Sequence, residues 1–427
     1  MITVMLVIMI VCLLLGFPFM VALITAPAFI FHEYFPFLNM SILIQQTVGG
    51  VKPISLIAIP MFMFAGDIMT AGHSANRLLD FVSAFLRHVR GGLPIVTAAG
   101  CTVFGAVSGS TQATVCAMGG PLRPKLLAGG YSSSFSTALI INASDIAFLI
   151  PPSIGMIVYG VVTGTSVGEL FIAGIGPGLF ILLLFSIYCF VYASIKQMPV
   201  LPKADWKERF YAVKGAVLPL GFPVIIIGGI YSGIFSPTEA AAFSVLYAFI
   251  LEVFVYKTVK IRQIPSIALS TGIITTVVFI LVGVGTAFSW TISFARIPSL
   301  ILPGIIGEAP GQTWVLIIIS IAFFLGCMFV DPVVVIIILA PVFRPVVQQM
   351  GIDPVLVGVI VTLQCAIGSA TPPFGCDIFT AIAVFRRPYL EVVKGTPPFI
   401  LILVFANAML ILFPEIALFI RDIGFGK

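Results

Sequence analysis

The chain has 427 residues, of which 60% are hydrophobic and only 9% are charged, and its mean hydropathy is +1.21. A soluble protein of this composition could not cover its surface with polar groups, and apolar runs of about 18 or more residues recur along the sequence. The net charge of +5 does not indicate a nucleic-acid partner, because the lysines and arginines flank the apolar runs. The composition therefore predicts an all-α polytopic membrane protein.

The first quarter of the chain contains two apolar segments and one amphipathic segment. Thr3 to Phe31 is predicted to be a single retained span, because it lacks a basic leader and is too long for a signal peptide. Pro53 to Met69 predicts the next span. Between Ser74 and Arg90, apolar residues recur at spacings of three and four, which predicts an amphipathic helix lying along the membrane interface.

Two interrupted segments follow. Apolar arms of about 15 residues, roughly 22 Å as helix, flank the polar sequence Ser108 to Gln112 and are too short to cross the bilayer. They predict a re-entrant hairpin whose tip lies at mid-membrane. A broken helix is predicted from Tyr131 to Thr163, because Pro151 and Pro152 remove two donors within an apolar run. The span Leu170 to Ile195 closes this half.

The second half repeats this order after a polar linker. The sequence predicts, in order, spans at Ala216–Ile234, Pro237–Tyr256 and Thr271–Phe294, short arms at Thr313–Phe324 and Pro332–Val347, a broken helix around Pro372 and Pro373, and a last span at Pro397–Phe413. The predicted division of the chain is 1–92 (scaffold spans and interfacial arm), 93–196 (first transport-core repeat), 197–214 (cytoplasmic linker), 215–312 (second scaffold and arm) and 313–427 (second transport-core repeat).

An internal repeat supports this division. Placing Gly130 on Gly351 also places Pro151-Pro152 on Pro372-Pro373. With a cytoplasmic N-terminus and about nine full crossings, most of the 21 lysines and arginines lie inside, as the positive-inside rule expects. The two hairpins then enter from opposite faces. The sequence therefore predicts an inverted repeat, a cytoplasmic N-terminus and a periplasmic C-terminus, with both tips and both breaks near the midplane.

Polar residues are concentrated at these breaks. Broken helices expose unpaired carbonyls at their C-termini, which suit Na⁺, and unpaired N–H groups at their N-termini, which suit a carboxylate. The alternative is that the hydroxyls only bond their own helices, as most membrane Ser and Thr do. Asp145 and Asp331 are ionisable groups within spans and are functional candidates for that reason. Each has a structural alternative, a helix cap or a buried pair for Asp145 and a cap before Pro332 for Asp331.

Several short motifs occur in a particular order and spacing over nearly the whole chain: Ile59–Gly66, Arg90–Leu93, Ser108–Ser110, Ile150–Ser153, Gly233–Ala241, Val330–Pro332 and Gly368–Pro373. Together they resemble the large membrane subunit of the tripartite ATP-independent periplasmic (TRAP) transporters. The resemblance implies a Na⁺-coupled, elevator-type importer of an organic anion in the bacterial inner membrane. The implied partners are a small four-helix membrane subunit, expected as a separate chain, and a soluble periplasmic binding protein.

The resemblance also implies the site residues. The implied Na⁺ ligands are Ser108, Gly109 and Ser110 with Ser144 and Asp145, and Gly326 and Val330 with Gly368 and Thr371. The implied substrate-binding residues are Ser108, Ser110, Thr111, Ser153, Asp331 and Thr371. An anion beside Asp331 is electrostatically unfavourable, so this residue is expected to bind substrate hydroxyls or Na⁺. Overall likeness favours sialic acid over C4-dicarboxylates as the substrate.

Two other function classes compete with this interpretation. A Na⁺/dicarboxylate symporter that uses no binding protein would have a similar architecture, without the sequence Ser236 to Ala241. An intramembrane enzyme is not indicated, because the sequence has no catalytic aspartate pair in a GxGD setting and no HExxH or GxSxG motif. The seven cysteines show no CxxC spacing, so neither a disulfide framework nor a zinc site is predicted.

Overall fold

The computed structural model describes residues 1–307 and 310–426, and over these residues the regular structure is entirely helical. Residues 308–309, in the predicted 215–312 segment, and Lys427, at the predicted periplasmic C-terminus, lie outside the described residues. Six helices of the described part are long and apolar enough to cross a membrane, and a bent pair at the C-terminus adds a seventh by length and composition. The predicted all-α polytopic class is confirmed.

The first half comprises α1 (Ile2–Leu14), α2 (Phe19–Tyr34), α3 (Ser41–Gly50), α4 (Ala58–Ala71), α5 (Ser74–Leu86), α6 (Gly92–Ser108), α7 (Thr111–Ala128), α8 (Ser133–Ser144), α9 (Ile154–Thr163) and α10 (Val167–Ile195). The second half comprises α11 (Trp206–Tyr231), α12 (Pro237–Phe249), α13 (Ile264–Phe294), α14 (Ile297–Ile306), α15 (Gln312–Cys327), α16 (Pro332–Gln349), α17 (Pro354–Ser369), α18 (Cys376–Phe385), α19 (Tyr389–Val393), α20 (Pro397–Leu412) and α21 (Glu415–Phe425). Short 3₁₀ turns lie at Ile54–Ile57, Asp145–Phe148 and Ile261–Gln263, and a π-helical turn lies at Ile250–Val255.

The predicted single span from Thr3 to Phe31 is wrong. The structure has two helices there, α1 of 13 residues and α2 of 16, which pack against each other. Gly16 turns the chain with a φ of +78°, and Pro18, which cannot continue a helix, sits at the N-cap of α2. Each helix is shorter than the roughly 20 residues that cross a bilayer. The predicted cytoplasmic N-terminus depends on one crossing here, so the orientation of the termini stays a prediction.

The scaffold helices pack in pairs, α4 against α12, α3 against α13 and α5 against α11. Part of the Gly233–Ala241 motif has a local explanation. Gly233 turns the chain after α11 with a φ of +71°, and Ser236 forms a capping box with Glu239 at the start of α12, where Pro237 is the first helical residue. The polar linker is shorter than predicted, because α11 already begins at Trp206.

The predicted amphipathic segment from Ser74 to Arg90 is helical from Ser74 to Leu86. The first turn of this helix is stabilised by the fully buried carboxylate of Glu252, which lies on another scaffold element. Glu252 accepts hydrogen bonds from the backbone N–H groups of His73 and Ser74, each at 3.2 Å, and from Thr258 Oγ1 at 2.6 Å. An anion at the N-terminus of a helix compensates its unpaired N–H groups, so Glu252 couples the arm to the scaffold.

The predicted repeat of hairpin, broken helix and closing span is confirmed. Helices α6 and α7 form one hairpin and α15 and α16 form the other, while α8 and α9, like α17 and α18, are the halves of broken helices. Gly130 and Gly351 both have positive φ, at +86° and +64°. The peptide bonds within both Pro-Pro pairs are cis. The closing span of the second repeat does not stop at Phe413, because α21 continues it after a bend of 55°.

Candidate functional site

The tip of the first hairpin is held by its own hydroxyls. Gly109 has a φ of +64° and ends α6, and Ser110 begins α7 by accepting a hydrogen bond from the N–H of Ala113. Ser108 Oγ lies 2.9 Å from Thr114 Oγ1, which donates to the carbonyl of Ser110 at 2.8 Å. The tip is therefore a closed, pre-organised turn in which glycine is required by the left-handed backbone.

This tip lies directly against the first break. The N–H of Ile154 donates to the carbonyl of Gly109 at 3.3 Å, and a Cβ on Gly109 would lie 2.3 Å from the carbonyl oxygen of Pro152. One turn deeper, a Cβ on Gly105 would lie 2.6 Å from Ala147 Cα. The predicted meeting of tip and break is thus observed, and it is a backbone-to-backbone contact between Gly109 and the Pro152–Ile154 segment.

The first break also contains unpaired side-chain oxygens. Asp145 is 1% exposed, and neither of its carboxylate oxygens has a hydrogen-bond partner within the described residues. Asn142, one turn earlier, uses its Nδ2 on the carbonyl of Ala138, which leaves its Oδ1 buried and unpaired. A buried carboxylate without a partner is strongly unfavourable. Residues three apart on a helix are neighbours, so these oxygens suit a small oxygen-seeking cation.

Other predicted residues of this region are already used by the backbone. Ser144 Oγ donates to the carbonyl of Ile140 at 2.7 Å. Ser153 Oγ donates to the carbonyl of Phe148 at 2.6 Å and accepts from the N–H of Met156, which caps α9. These two hydroxyls therefore bond backbone groups of their own broken helix, as most Ser and Thr side chains in membrane helices do.

The second tip packs on the second break in a related way. A Cβ on Gly368 would lie 2.5 Å from Cys327 Cβ, so α17 and the end of α15 approach closely at a glycine. The carbonyl of Gly326 accepts hydrogen bonds from the N–H groups of Phe329 and Val330, and these two bonds form the turn at the tip. Thr371 Oγ1 donates to the carbonyl of Ile367 at 2.6 Å. The structure therefore brings the Gly326–Val330 tip against the start of the second break, as predicted.

A residue that the sequence interpretation missed connects the two repeats. Asp377 is fully buried in the second break, where it accepts a hydrogen bond from Thr111 Oγ1 at 2.9 Å and one from Ser369 Oγ at 2.8 Å. Thr111 belongs to the first hairpin and Ser369 to the second broken helix. The rule that singles out ionisable residues within spans applies equally to Asp377, so the signal was present in the sequence.

A cavity of about 870 Å³ lies between these tips and the scaffold. The transport-core side contributes Ser108, Ser110, Thr111, Gln112 and Asp331, four of which are predicted substrate residues. Asp331 also caps α16 by accepting from the N–H of Val333 at 2.9 Å. Ser153 and Thr371 are not among the lining residues of this cavity in the described part of the chain.

The scaffold side of the cavity comes from α4 and α13. It includes Asp67, which the sequence interpretation did not single out and which accepts a hydrogen bond from Thr271 Oγ1 at 2.5 Å. Among the described residues, those that line the cavity include no lysine, arginine or histidine. The charged side chains that line the cavity are therefore both acidic.

Residues 6–416 match the family model described as the DctM component of the tripartite ATP-independent periplasmic transporters. The chain belongs to this family. It is 64% identical over 424 residues, 99% of both chains, to the ectoine TRAP transporter large permease protein TeaC of Halomonas elongata. It is 63% identical to the ectoine/5-hydroxyectoine large permease UehC of Ruegeria pomeroyi, over 98% of both chains. As a TRAP large permease, the chain is a transporter subunit and not an enzyme.

A solved structure has a related fold. The crystal structure of the YdaH transporter of Alcanivorax borkumensis covers 90% of this chain and 88% of its own, with a TM-score of 0.63 and 13% identity. At that identity the similarity concerns the fold alone. Membership of the TRAP family, which rests on the sequence, argues against the alternative symporter that uses no binding protein.

The expectation that sialic acid is the substrate is wrong. The sialic acid TRAP large permease SiaM of Vibrio cholerae is 31% identical over 90% of both chains, about half the identity found with the ectoine permeases. A C4-dicarboxylate large permease of Pseudomonas aeruginosa reaches 35%. The preference for the sialic-acid branch over the C4-dicarboxylate branch therefore has no support.

Proposed function

We propose that this chain is the translocating subunit of a Na⁺-coupled importer for ectoine or a closely similar solute. The observation that carries the proposal is the identity of 64% and 63%, over nearly full length, with two permeases named for ectoine. Ectoine is a small ring that bears a carboxylate and a delocalised amidinium cation, so it has no net charge. This chemistry also resolves the unfavourable placement of an anion beside Asp331.

The proposed assembly is tripartite and lies in the bacterial inner membrane. A separate small four-helix membrane subunit would hold the scaffold, and a soluble periplasmic binding protein would deliver the solute. The family description supports this proposal by naming one component of a three-part system. The binding protein would capture the solute and release it to this chain. The solute would then bind in the cavity between the hairpin tips and the scaffold and cross the membrane there.

The substrate would occupy the cavity between the scaffold and the two tips. Its volume of about 870 Å³ falls within the range typical of small-molecule sites. One wall comes from α4 and α13 and the other from the hairpin tips, so sliding of the transport core against the scaffold would move the solute across the membrane. This arrangement supports an elevator-type exchange of access.

The coupling ions would bind where tips meet breaks. The first Na⁺ site would combine carbonyls of the Ser108–Ser110 tip with Asp145 and Asn142 Oδ1, whose oxygens have no other partner in the described residues. The second would combine the Gly326–Val330 tip with the Gly368–Thr371 segment. Na⁺ bound in these positions would fix each tip against its break and so complete the cavity wall.

Uptake by liposomes tests this function. We expect liposomes that contain both membrane subunits, supplied with the binding protein, to accumulate labelled ectoine when an inward Na⁺ gradient is imposed. Unlabelled 5-hydroxyectoine should compete, whereas sialic acid and succinate should not. Replacing Na⁺ by K⁺ on both sides should stop accumulation. Accumulation of sialic acid or succinate in preference to ectoine would contradict the proposal.

A further inference from the structure

The scaffold wall of the cavity presents one incompletely bonded carboxylate. Asp67 on α4 accepts one hydrogen bond, from Thr271 on α13, through its Oδ2 atom. Its Oδ1 atom has no hydrogen-bond partner in the described residues, and the side chain lines the cavity. A carboxylate that lines a cavity and has one unbonded oxygen is able to bind a cationic group.

The electrostatics of the cavity favour a ligand with a positive group. Asp67 and Asp331 both line it, and in the part of the chain that the structure describes no cationic side chain lines it to neutralise them. A cleft lined by charges of one sign concentrates ligands of the opposite sign and repels ligands of the same sign. A solute that carries only negative charge would therefore be disfavoured, although anions are what the family resemblance implies.

The opposite wall can accept the negative group of the same ligand. The α7 helix begins there at Thr111, after the Ser110 cap. The N–H groups of a first helical turn point out of the N-terminus, where they are able to bind an anion. Thr111 Oγ1 is already engaged with Asp377, so the backbone would supply the donors. Because this helix end and Asp67 line the same cavity, a small zwitterion bound there would place its carboxylate at the helix end and its cation at Asp67.

We propose that Asp67 is the residue that selects zwitterionic solutes over anionic ones, by binding the cationic end of the transported solute. The inference rests on the proposed function for the identity of that solute. Thr271 acts as a positioning residue, because its hydroxyl donates to one oxygen of a carboxylate that lines the cavity. Both residues belong to the scaffold, so the cationic end contacts the part of the molecule that does not travel.

Uptake kinetics of the complete three-component transporter test this role. Asp67→Asn keeps the size of the side chain and its bond to Thr271 but removes the charge. We expect it to raise the KM for ectoine tenfold or more, with a smaller change in the maximal rate, because charge-assisted hydrogen bonds are worth more than neutral ones. Thr271→Val should raise KM by a smaller factor. Asp80→Asn is the matched control, since Asp80 is an exposed carboxylate on α5 outside this cavity.

Selectivity provides the second measurement. Cyclohexanecarboxylate has a ring of similar size and a carboxylate but lacks the amidinium. We expect it to compete poorly with ectoine in the wild type and relatively better in Asp67→Asn. An unchanged KM, or a loss of maximal rate with unchanged selectivity, would overturn the assignment and make Asp67 a structural residue. A shift only in the Na⁺ dependence would overturn it as well.

The proposed function can fail separately. If the wild type does not accumulate ectoine, the substrate proposal is wrong, and a panel of zwitterions, cations and anions of similar size tests the cavity directly. Uptake restricted to anions would then overturn the role of Asp67. Uptake of another zwitterion or of a cation that depends on Asp67 would support it.

Discussion

At the first hairpin tip, Gly109 turns with a φ of +64° and lies so close to Pro152 that no side chain fits, whereas the repeat places Val330 at the corresponding position of the second tip. The next position is Ser110 in one tip and Asp331 in the other, and both cap the helix that follows. The two tips therefore begin the next helix with the same kind of cap but differ in backbone conformation, since Gly109 has a positive φ and Val330 does not. They also differ in the polar groups that they offer to a ligand.

The two breaks show the same contrast. The carboxylate in the first break, Asp145, has no hydrogen-bond partner in the described residues, whereas Asp377 in the second break accepts two side-chain hydrogen bonds. A partnered buried carboxylate contributes to structure, and an unpartnered one requires an ion or a proton. We therefore expect the two residues to respond in opposite ways when their charge is removed.

The largest expected effect comes from Asp377→Ala. It leaves two hydroxyls without their acceptor across the contact between the repeats, so we expect a loss of about 2 to 3 kcal/mol of stability and of nearly all uptake. Thermal unfolding of the purified complex and uptake by liposomes measure these two effects. Asp377→Asn retains one acceptor and should recover part of the stability. If the Ala variant is as stable as the wild type, the two hydrogen bonds that Asp377 accepts do not stabilise the contact between the repeats.

Gly109→Ala should have the next largest effect. A side chain at a positive φ costs about 1 kcal/mol or more, and this one also collides with a backbone carbonyl. We expect the tip to shift and uptake to fall at least tenfold, as measured by initial rates. Val330→Ala, at the equivalent position of the second tip, should change uptake by no more than about twofold. Equal losses of uptake in the two variants would contradict the expected difference between the tips.

Asp145→Asn sharpens the comparison of the breaks. Because the carboxylate has no partner to lose, we expect stability to stay the same or to rise, in contrast to Asp377→Ala. The Na⁺ concentration for half-maximal uptake should rise about tenfold, which corresponds to about 1.4 kcal/mol of ion binding. A wild-type Na⁺ dependence would exclude Asp145 as an ion ligand, and a marked loss of stability would make it a structural residue.

The smallest expected effect on uptake is that of Asp331→Ser, which gives the second tip the cap that the first tip already has. Serine is as good a cap as aspartate, so stability should stay within about 1 kcal/mol. Uptake should nevertheless fall several-fold, because the cavity loses one of the carboxylates that line it. Full uptake would indicate that Asp331 only caps α16. Asp331→Ala, which loses both the cap and the charge, is the companion variant.

Much of the transport core could be predicted from local sequence. The Pro-Pro pairs and short apolar arms predicted both broken helices and both hairpins, because proline removes a backbone donor wherever it occurs in a helix. The turn at Gly16 and Pro18 carries the same signal, but the apolar run around it was interpreted as one span. Helical structure was therefore predicted correctly on both sides of the turn, but the two helices were interpreted as one.

The candidate site was only partly predictable. Ser108 and Asp331 line the cavity as expected, but the sequence does not reveal that Ser153 is used by its own break or that Asp67 faces the same cavity. A side chain's partners depend on which helices pack together, and here they come from residues more than 200 positions apart, as with Thr271 and Asp67. Residue type identifies a candidate, and packing decides whether it is bonded.

The membrane class, the repeat, the positions of the breaks and the family could all be inferred from the amino-acid sequence, because each depends on composition, on local backbone restrictions or on the order of short motifs. Which buried carboxylate is bonded and which is left unpaired became clear from the packing of the helices. The packing also showed that, among the described residues, the charged side chains lining the cavity are acidic. Hydrogen bonding and charge compensation act between helices that are distant in the chain, so no local pattern specifies them.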